Sequence, residues 1–303
     1  MKKQIGLIGL GKMGKGLALN LRDKGWEVIV YNRTLSKVEE IEKEGIKGTR
    51  SLKELVSLLD GPRVVWTMLT AGDATKAVLF DEGGLMSLLQ EGDIIVEGGN
   101  SKFTEDKIHA EMLAKKGIKY IDVGVSGGPS GARNGACLMI GGEKETFTYL
   151  ENLFKDLAKP NAYKFFEGYG AGHYVKMVHN GIEYGMMQSI AEGFNLMKNS
   201  NYNLNLVDVA DIYSNGSVIE SRLINWLKEG YLKYGEDLKE VSGSVDSLGG
   251  GQWTVDTAKS QRIDLPIIEK SVEFRYESRK APSYTGKVLS MLRNMFGGHS
   301  IIN

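Results

Sequence analysis

The chain has 303 residues, with 38 lysines and arginines against 38 aspartates and glutamates and 42% hydrophobic residues, an ordinary globular composition at a length that suggests two domains. A neutral balance argues against a nucleic-acid or anionic-membrane partner, and no stretch approaches the ~20 apolar residues of a membrane span. The single cysteine, Cys137, excludes an intrachain disulfide framework and fits a reducing cytoplasm. Met1-Lys2-Lys3-Gln4 runs straight into a strand pattern, which leaves no room for a signal peptide.

In chain order, apolar runs at residues 4–8, 27–31, 64–69, 94–97 and 119–123 predict buried parallel strands. The intervening stretches, such as 13–24 and 52–59, predict helices. Residues 137–140 and 163–166 add two further strands. Strand–helix alternation of this kind predicts a doubly wound parallel α/β sheet of Rossmann type. After residue 167 the pattern turns helical. Residues 172–198 contain no proline, and Gly181, Gly185 and Gly193 weaken helix propensity there, so packing must hold so long a helix. Helices follow at 206–214, 218–228 and 266–277, with a glycine-rich loop at 248–251. The predicted organisation is a nucleotide-binding domain over 1–167 and an all-α domain over 168–303.

Gly9-Leu10-Gly11-Lys12-Met13-Gly14 leaves the first strand and opens the first helix. In such a turn the first glycine permits the bend, the second lets a pyrophosphate approach the backbone, and the third lets helix and strand pack closely. The phosphates then meet the unpaired amides at the positive end of the helix. A glycine turn without a ligand is the bland alternative, and the strand before, helix after and second strand ending near residue 31 weigh against it. Where that second strand ends, an NAD-selective site usually carries a carboxylate for the ribose hydroxyls. Asn32-Arg33-Thr34 stands there instead. An arginine with neutral donors beside it suits a 2′-phosphate, so NADP is expected, with NAD possible; a merely solvated Arg33 is the alternative.

In the long helix, Lys176, His179, Asn180 and Glu183 fall at i, i+3, i+4 and i+7, on one face. A solvated stripe is the ordinary reading of such spacing, but the apolar, glycine-bearing flanks favour a convergent polar site. A lysine beside a carboxylate can supply a base and an acid, provided the lysine, ordinarily near pKa 10.4, is brought down by desolvation or positive charge. Cys137 reads as a core residue, and His109, in a charged helix, as a solvated one. Too few His, Cys and carboxylate residues cluster to suggest a metal site.

Three blocks carry a family resemblance: Ile94-Ile95-Val96-Glu97-Gly98-Gly99-Asn100-Ser101, Gly124-Val125-Ser126-Gly127-Gly128, and the run from Lys176 through Glu183-Tyr184-Gly185. Together they resemble decarboxylating 6-phosphogluconate dehydrogenase, in a form shorter than the common one, whose helical domain is duplicated. The resemblance implies a cytoplasmic, at least dimeric enzyme of the pentose phosphate pathway. In it, Lys176 would take the proton of the substrate's 3-hydroxyl as hydride leaves C3. The resulting 3-keto acid would lose carbon dioxide, with protonated Lys176 supporting the enolate oxygen, and Glu183 would protonate C1 of the enediol to give ribulose 5-phosphate. Asn100, which would also face the cofactor, Ser126, Gly127, Gly128, His179 and Asn180 would hold the sugar acid. Tyr184 and Arg275 would meet the phosphate. Arg293 and His299, in Arg293-Asn294-Met295-Phe296-Gly297-Gly298-His299, would reach the substrate of a neighbouring subunit, although Arg293 taken alone reads as surface. One departure is that Leu248 stands where the family usually has a loop lysine. A β-hydroxyacid dehydrogenase of the 3-hydroxyisobutyrate type shares the glycine turn and the helix lysine, but leaves Glu97-Gly98-Gly99-Asn100 and the His179–Glu183 set unexplained. A non-catalytic NADPH sensor would need no acid and base on one face.

Overall fold

The computed structural model describes residues 2–247 and 249–302; Leu248 therefore lies outside the described residues. The chain divides into two compact units, Met1–Met177 and Val178–Asn303. The expected join at 167/168 precedes a long helix, and that helix's first seven residues pack with the first unit.

In the first unit, β1 (Gln4–Ile8), α1 (Lys12–Asp23), β2 (Glu27–Tyr31), α2 (Leu35–Glu42), β3 (Lys47–Thr49), α3 (Leu52–Ser57), β4 (Val64–Thr67), α4 (Asp73–Phe80), α5 (Leu85–Leu88) and β5 (Ile94–Glu97) follow in order. Then come α6 (Phe103–Ala114), β6 (Lys119–Ser126), α7 (Gly128–Asn134), β7 (Ala136–Gly142), α8 (Lys144–Leu157) and β8 (Ala158–Glu167). Among the described residues the strands form one eight-stranded sheet in the order β3-β2-β1-β4-β5-β6-β7-β8. The pairings from β3 through β6 are parallel, which gives the doubly wound dinucleotide-fold order. β7 is the exception, running antiparallel to β6.

Strand residues alternate between two cores. Ile5, Leu7, Val28, Val30, Trp66, Val96 and Ile121 face one side, with Leu17 and Leu21 of α1 and Leu150 and Phe154 of α8. Ile8, Ile29, Val65, Ile95 and Tyr120 face the other, with Leu55 of α3 and Leu113 of α6. Burial on both faces is why these strands read as continuous apolar runs.

The second unit begins within α9 (Ala171–Lys198), a single 28-residue helix. It continues with α10 (Leu206–Tyr213), α11 (Arg222–Tyr234), α12 (Gly250–Ser260), α13 (Pro266–Ser278) and α14 (Tyr284–Gly297). Its core gathers Met187 and Phe194 of α9, Leu227 and Tyr231 of α11, and Val288, Leu289, Met291 and Leu292 of α14. Two expectations change here. The helix expected from residue 218 starts at Arg222, because the Ser221 side chain accepts the Ile224 N–H and caps it. Of the expected glycine loop, Gly250 and Gly251 instead open α12. No described helix is long and apolar enough to cross a membrane.

Candidate functional site

The glycine turn is built as its spacing implies. Gly9 has φ +100°, and a Cβ there would lie 2.3 Å from the Met68 carbonyl oxygen. A Cβ at Gly14 would lie 1.9 Å from the Gly9 carbonyl oxygen, so only glycine lets α1 approach the strand. Gly11 has nothing within 4 Å of its Cβ position and caps α1 without a side-chain bond. First-turn amides have no intrahelical partner, and nothing stands within 4 Å of the Gly11 Cβ position beside them. Lys12 is exposed and Met13 half-buried. Leu10 is a core residue, and its N–H donates to Asn32 Oδ1 at 2.9 Å. Asn32 Nδ2 donates in turn to the Thr34 carbonyl at 3.1 Å. Asn32 therefore ties the glycine turn to the end of β2, while Arg33 and Thr34 stand exposed beside it.

At the end of β5, the Gly98 and Gly99 Cβ positions are occupied by the Trp66 indole and by Glu97 Oε1 with the Leu69 carbonyl. The crowding requires the glycine pair and leaves Asn100 exposed behind it. Ser126 ends β6, and Gly127 and Gly128 follow at φ +123° and +63°. Lys176, half-buried in the second turn of α9, rests on β6: a Cβ at Gly124 would lie 2.3 Å from the Lys176 Cβ.

The second unit holds another convergence. His179 Nδ1 lies 3.2 Å from Asn180 Oδ1 and 3.8 Å from Glu183 Oε2. Gly250 and Gly251 of α12 make room for Asn180 and for the Tyr184 ring. The Tyr184 hydroxyl pairs with Ser247 Oγ at 3.0 Å, and the Arg275 guanidinium lies 3.3 Å from the centroid of the same ring. Arg275 and Arg293 are only 3% and 5% exposed, and among the described residues neither has a carboxylate within salt-bridge distance. Burial pulls Arg275 down to about 10, with Arg293 adding to the effect against Tyr184 and Glu183. Burial likewise lowers Arg293, opposed by Tyr184, Asp246 and Glu183. Two buried cations without a paired carboxylate are costly unless an anion joins them.

Several expectations need correction. Arg293 is not a surface residue of its unit: α14 buries Val288, Leu289, Met291 and Leu292 and carries Arg293 inward with them. His299 folds back, its ring edge-on to Phe296 at 6.1 Å, and the Ile301 carbonyl accepts the Ser242 N–H. His109 is 4% exposed, tilted against Phe80 and edge-on to Tyr120, because α6 turns it toward the sheet. Cys137 is exposed on β7, opposite Ser126. Histidine and carboxylates do cluster: Glu97, Asp106 and His173 meet in the first unit, all buried. Sequence reasoning gave none of the three a role; the signals available were Glu97 closing an apolar strand and a histidine at the start of the long helix, whereas Asp106 lies among other charges in α6.

The fold and the glycine turn define a dinucleotide-binding oxidoreductase with a helical second unit. The chain belongs to the 6-phosphogluconate dehydrogenase family. Residues 4–204 match the NAD binding domain of 6-phosphogluconate dehydrogenase and residues 172–295 its C-terminal domain. A Bacillus subtilis protein, itself only provisionally named a 6-phosphogluconate dehydrogenase, is 42% identical over 98% of both chains. The NAD(+)-dependent, decarboxylating 6-phosphogluconate dehydrogenase of Haloferax volcanii is 37% identical over 98% of both. The Plasmodium falciparum 6-phosphogluconate dehydrogenase, solved apo, with NADP+ and with 6-phosphogluconate, superposes with a TM-score of 0.81 at 31% identity. That match covers 91% of this chain and 62% of the longer one. A 3-hydroxyisobutyrate dehydrogenase from Salmonella typhimurium, 21% identical with a TM-score of 0.77, shares the fold.

Proposed function

We propose that the protein oxidatively decarboxylates 6-phosphogluconate to ribulose 5-phosphate and carbon dioxide, with NADP preferred over NAD. The observation that carries this reading is the pair of buried arginines, Arg275 and Arg293, unpaired by carboxylates beside Tyr184 and Ser247. A substrate phosphate supplies the missing countercharge, in bidentate geometry an arginine favours. A substrate of the 3-hydroxyisobutyrate type brings a single carboxylate and no phosphate, so it offers two such arginines only one negative charge, which weighs against that reading.

When bound, the nicotinamide dinucleotide supplies the hydride acceptor; Gly11 and the first turn of α1 would hold its diphosphate. Lys176 accepts the proton of the 3-hydroxyl as the C3–H bond breaks. The C1–C2 bond then breaks, its electron pair passing toward the C3 carbonyl, and protonated Lys176 donates to that oxygen. Glu183 delivers a proton to the carbon that becomes C1 of the product. Asn100, Ser126, Gly127, Gly128, His179 and Asn180 orient the sugar acid, and His179 and Asn180 also brace each other and Glu183. Arg33 and Thr34 meet the 2′-phosphate, with Asn32 holding the turn for them. We place the protein in the cytoplasm as a homodimer in which Arg293 serves its own chain, while exposed Ile182, Met186 and Leu196 of α9 offer apolar surface for association.

The test is a coupled assay with 6-phosphogluconate, following reduced cofactor and carbon dioxide with NADP and NAD in parallel. Equimolar release of both products is expected, with NADP the better substrate by kcat/KM. Oxidation without carbon dioxide overturns the decarboxylating reading, and an NAD preference overturns the role of Arg33. Lys176→Ala is expected to abolish oxidation, and Glu183→Gln to slow steps after hydride transfer. Light scattering checks the dimer.

A further inference from the structure

A buried charged cluster in the first unit lies outside the groups assigned above. His173, in the first turn of α9, has Nδ1 2.8 Å from Asp106 Oδ2 of α6 and Nε2 3.4 Å from Glu97 Oε2 of β5. The other Asp106 oxygen accepts the Tyr120 hydroxyl at 2.7 Å. Asp122 of β6 accepts the Gly170 N–H at 2.7 Å and the His173 N–H at 2.9 Å, capping α9 from a neighbouring strand. Glu97 Oε1 accepts the Gly99 N–H at 2.9 Å. Glu97, Asp106, Asp122 and His173 are all buried.

One histidine thus fastens the start of α9 to β5 and α6, with the Asp122 cap adding β6. The fastening has two outlets. Along α9, the next turn carries Lys176, whose Cβ abuts Gly124. Along β5, Glu97 holds the Gly99 amide, and Asn100 is the next residue. Stability does not account for such a cluster, because well-packed apolar residues of similar volume often replace buried ion pairs at no loss.

We propose that Glu97 and His173 act as a positioning couple, setting the Lys176 turn of α9 and the Asn100 loop in register with each other. The inference rests on the proposed roles of Lys176 and Asn100. Burial alone would lower the His173 pKa, but Asp106, Glu97 and Asp122 around it outweigh that and hold it at about 10. The ring is therefore a cation at neutral pH, able to donate from both nitrogens at once.

The test compares Glu97→Gln, His173→Gln and the double variant in the full-length protein. Glu97→Gln keeps the Oε1 acceptor for Gly99 and replaces the carboxyl facing His173 with an amide, so it carries the test should His173→Gln fail to fold. Each single change is expected to lower kcat by ~10- to 100-fold, the scale of a sub-ångström to 1 Å misplacement. NADP affinity, measured by quenching of protein fluorescence, is expected to stay within twofold. The double variant is expected to lose no more than the worse single one, since both remove one coupling. Fully multiplicative losses, or wild-type kcat in Glu97→Gln, overturn the couple. Loss of wild-type activity on chelation also overturns it, by assigning the three side chains to a metal. An active Lys176→Ala variant instead brings down the base assignment, so the two failures are distinct.

Discussion

Gly124→Ala is the most direct probe of how β6 places Lys176. Gly124 is not among the positive-φ glycines, so alanine suits its backbone and the effect is steric. The new methyl carbon would stand 2.3 Å from the Lys176 Cβ, 2.9 Å from its Cγ and 3.1 Å from the Gly172 carbonyl oxygen. Carbon–carbon contacts settle near 3.5–4.0 Å, so relief needs a shift of roughly 1.2 Å or more. The Lys176 Cβ cannot swing away as a side-chain tip could; helix or strand must move. Overpacking of this kind costs about 1–3 kcal/mol, and a displacement of about 1 Å costs about 100-fold in rate. Thermal unfolding should fall by several degrees while the protein remains folded. Steady-state assays with 6-phosphogluconate should show kcat reduced about 100-fold, with dinucleotide affinity unchanged because the glycine turn lies on β1 and α1. Gly193→Ala is the control on the same helix, with nothing within 4 Å of its added methyl; it should gain about 0.5–1 kcal/mol at unchanged kcat. A Gly124→Ala enzyme with kcat within twofold of wild type would refute the packing argument.

Gly11→Ala should fold with wild-type stability, since nothing occupies its Cβ position, yet bind NADP at least ~10-fold more weakly because the methyl takes the diphosphate's space; titration calorimetry checks both cofactors. Arg275→Met should raise the melting temperature while raising KM for 6-phosphogluconate ~100-fold or more, because it removes a buried cation that has no carboxylate partner; a lower melting temperature with unchanged KM would count against the phosphate assignment. The His173 pKa is raised from 6.5 to about 10, so its contribution to stability is complete below pH 6.5 and is lost as pH rises through about 10. Melting temperatures between pH 8 and 11 should fall more steeply for wild type than for His173→Gln, and parallel curves would show that the ring carries no charge.

The strands of the first unit were legible because burial on both faces makes them apolar without interruption, and β1, β2 and β5 carry their expected bounds. β3 was not, being three residues, Lys-Gly-Thr, whose place depends on pairing with β2. α6 shows how a core helix hides: its buried positions are Asp106, His109, Ala110 and Leu113, at helical spacing, but two of the four are polar. The same disguise concealed the cluster around His173. Arg293 taken alone suggests surface, being an arginine near a terminus, and only its spacing to His299 pointed to a site; α14 turns it inward with its apolar neighbours. Gly250 and Gly251 read as loop because low helix propensity is the usual meaning of glycine, whereas here the missing side chains admit Asn180 and Tyr184.

These misses share a cause that bears on function. Apart from β3, each placed a polar or charged residue where sequence rules expect an apolar one, or a glycine where they expect a helix former. Such violations cost stability and persist where something else requires them. In the second unit the proposed substrate phosphate would supply that requirement for Arg275 and Arg293, whose burial lowers both their pKa values. In the first it is geometry: Glu97 and Asp106 converge on one imidazole, and Glu97 and Asp122 on the amides of Gly99, Gly170 and His173. The two groups predict opposite responses to apolar replacement. Arg275→Met should stabilise the fold and weaken substrate binding, because one buried charge leaves with its cost. His173→Leu should destabilise it and lower kcat, because three carboxylates remain behind without their cation. Finding both variants stabilised would mean that the carboxylates around His173 are protonated in the native protein, and the cation at the start of α9 would have to be abandoned.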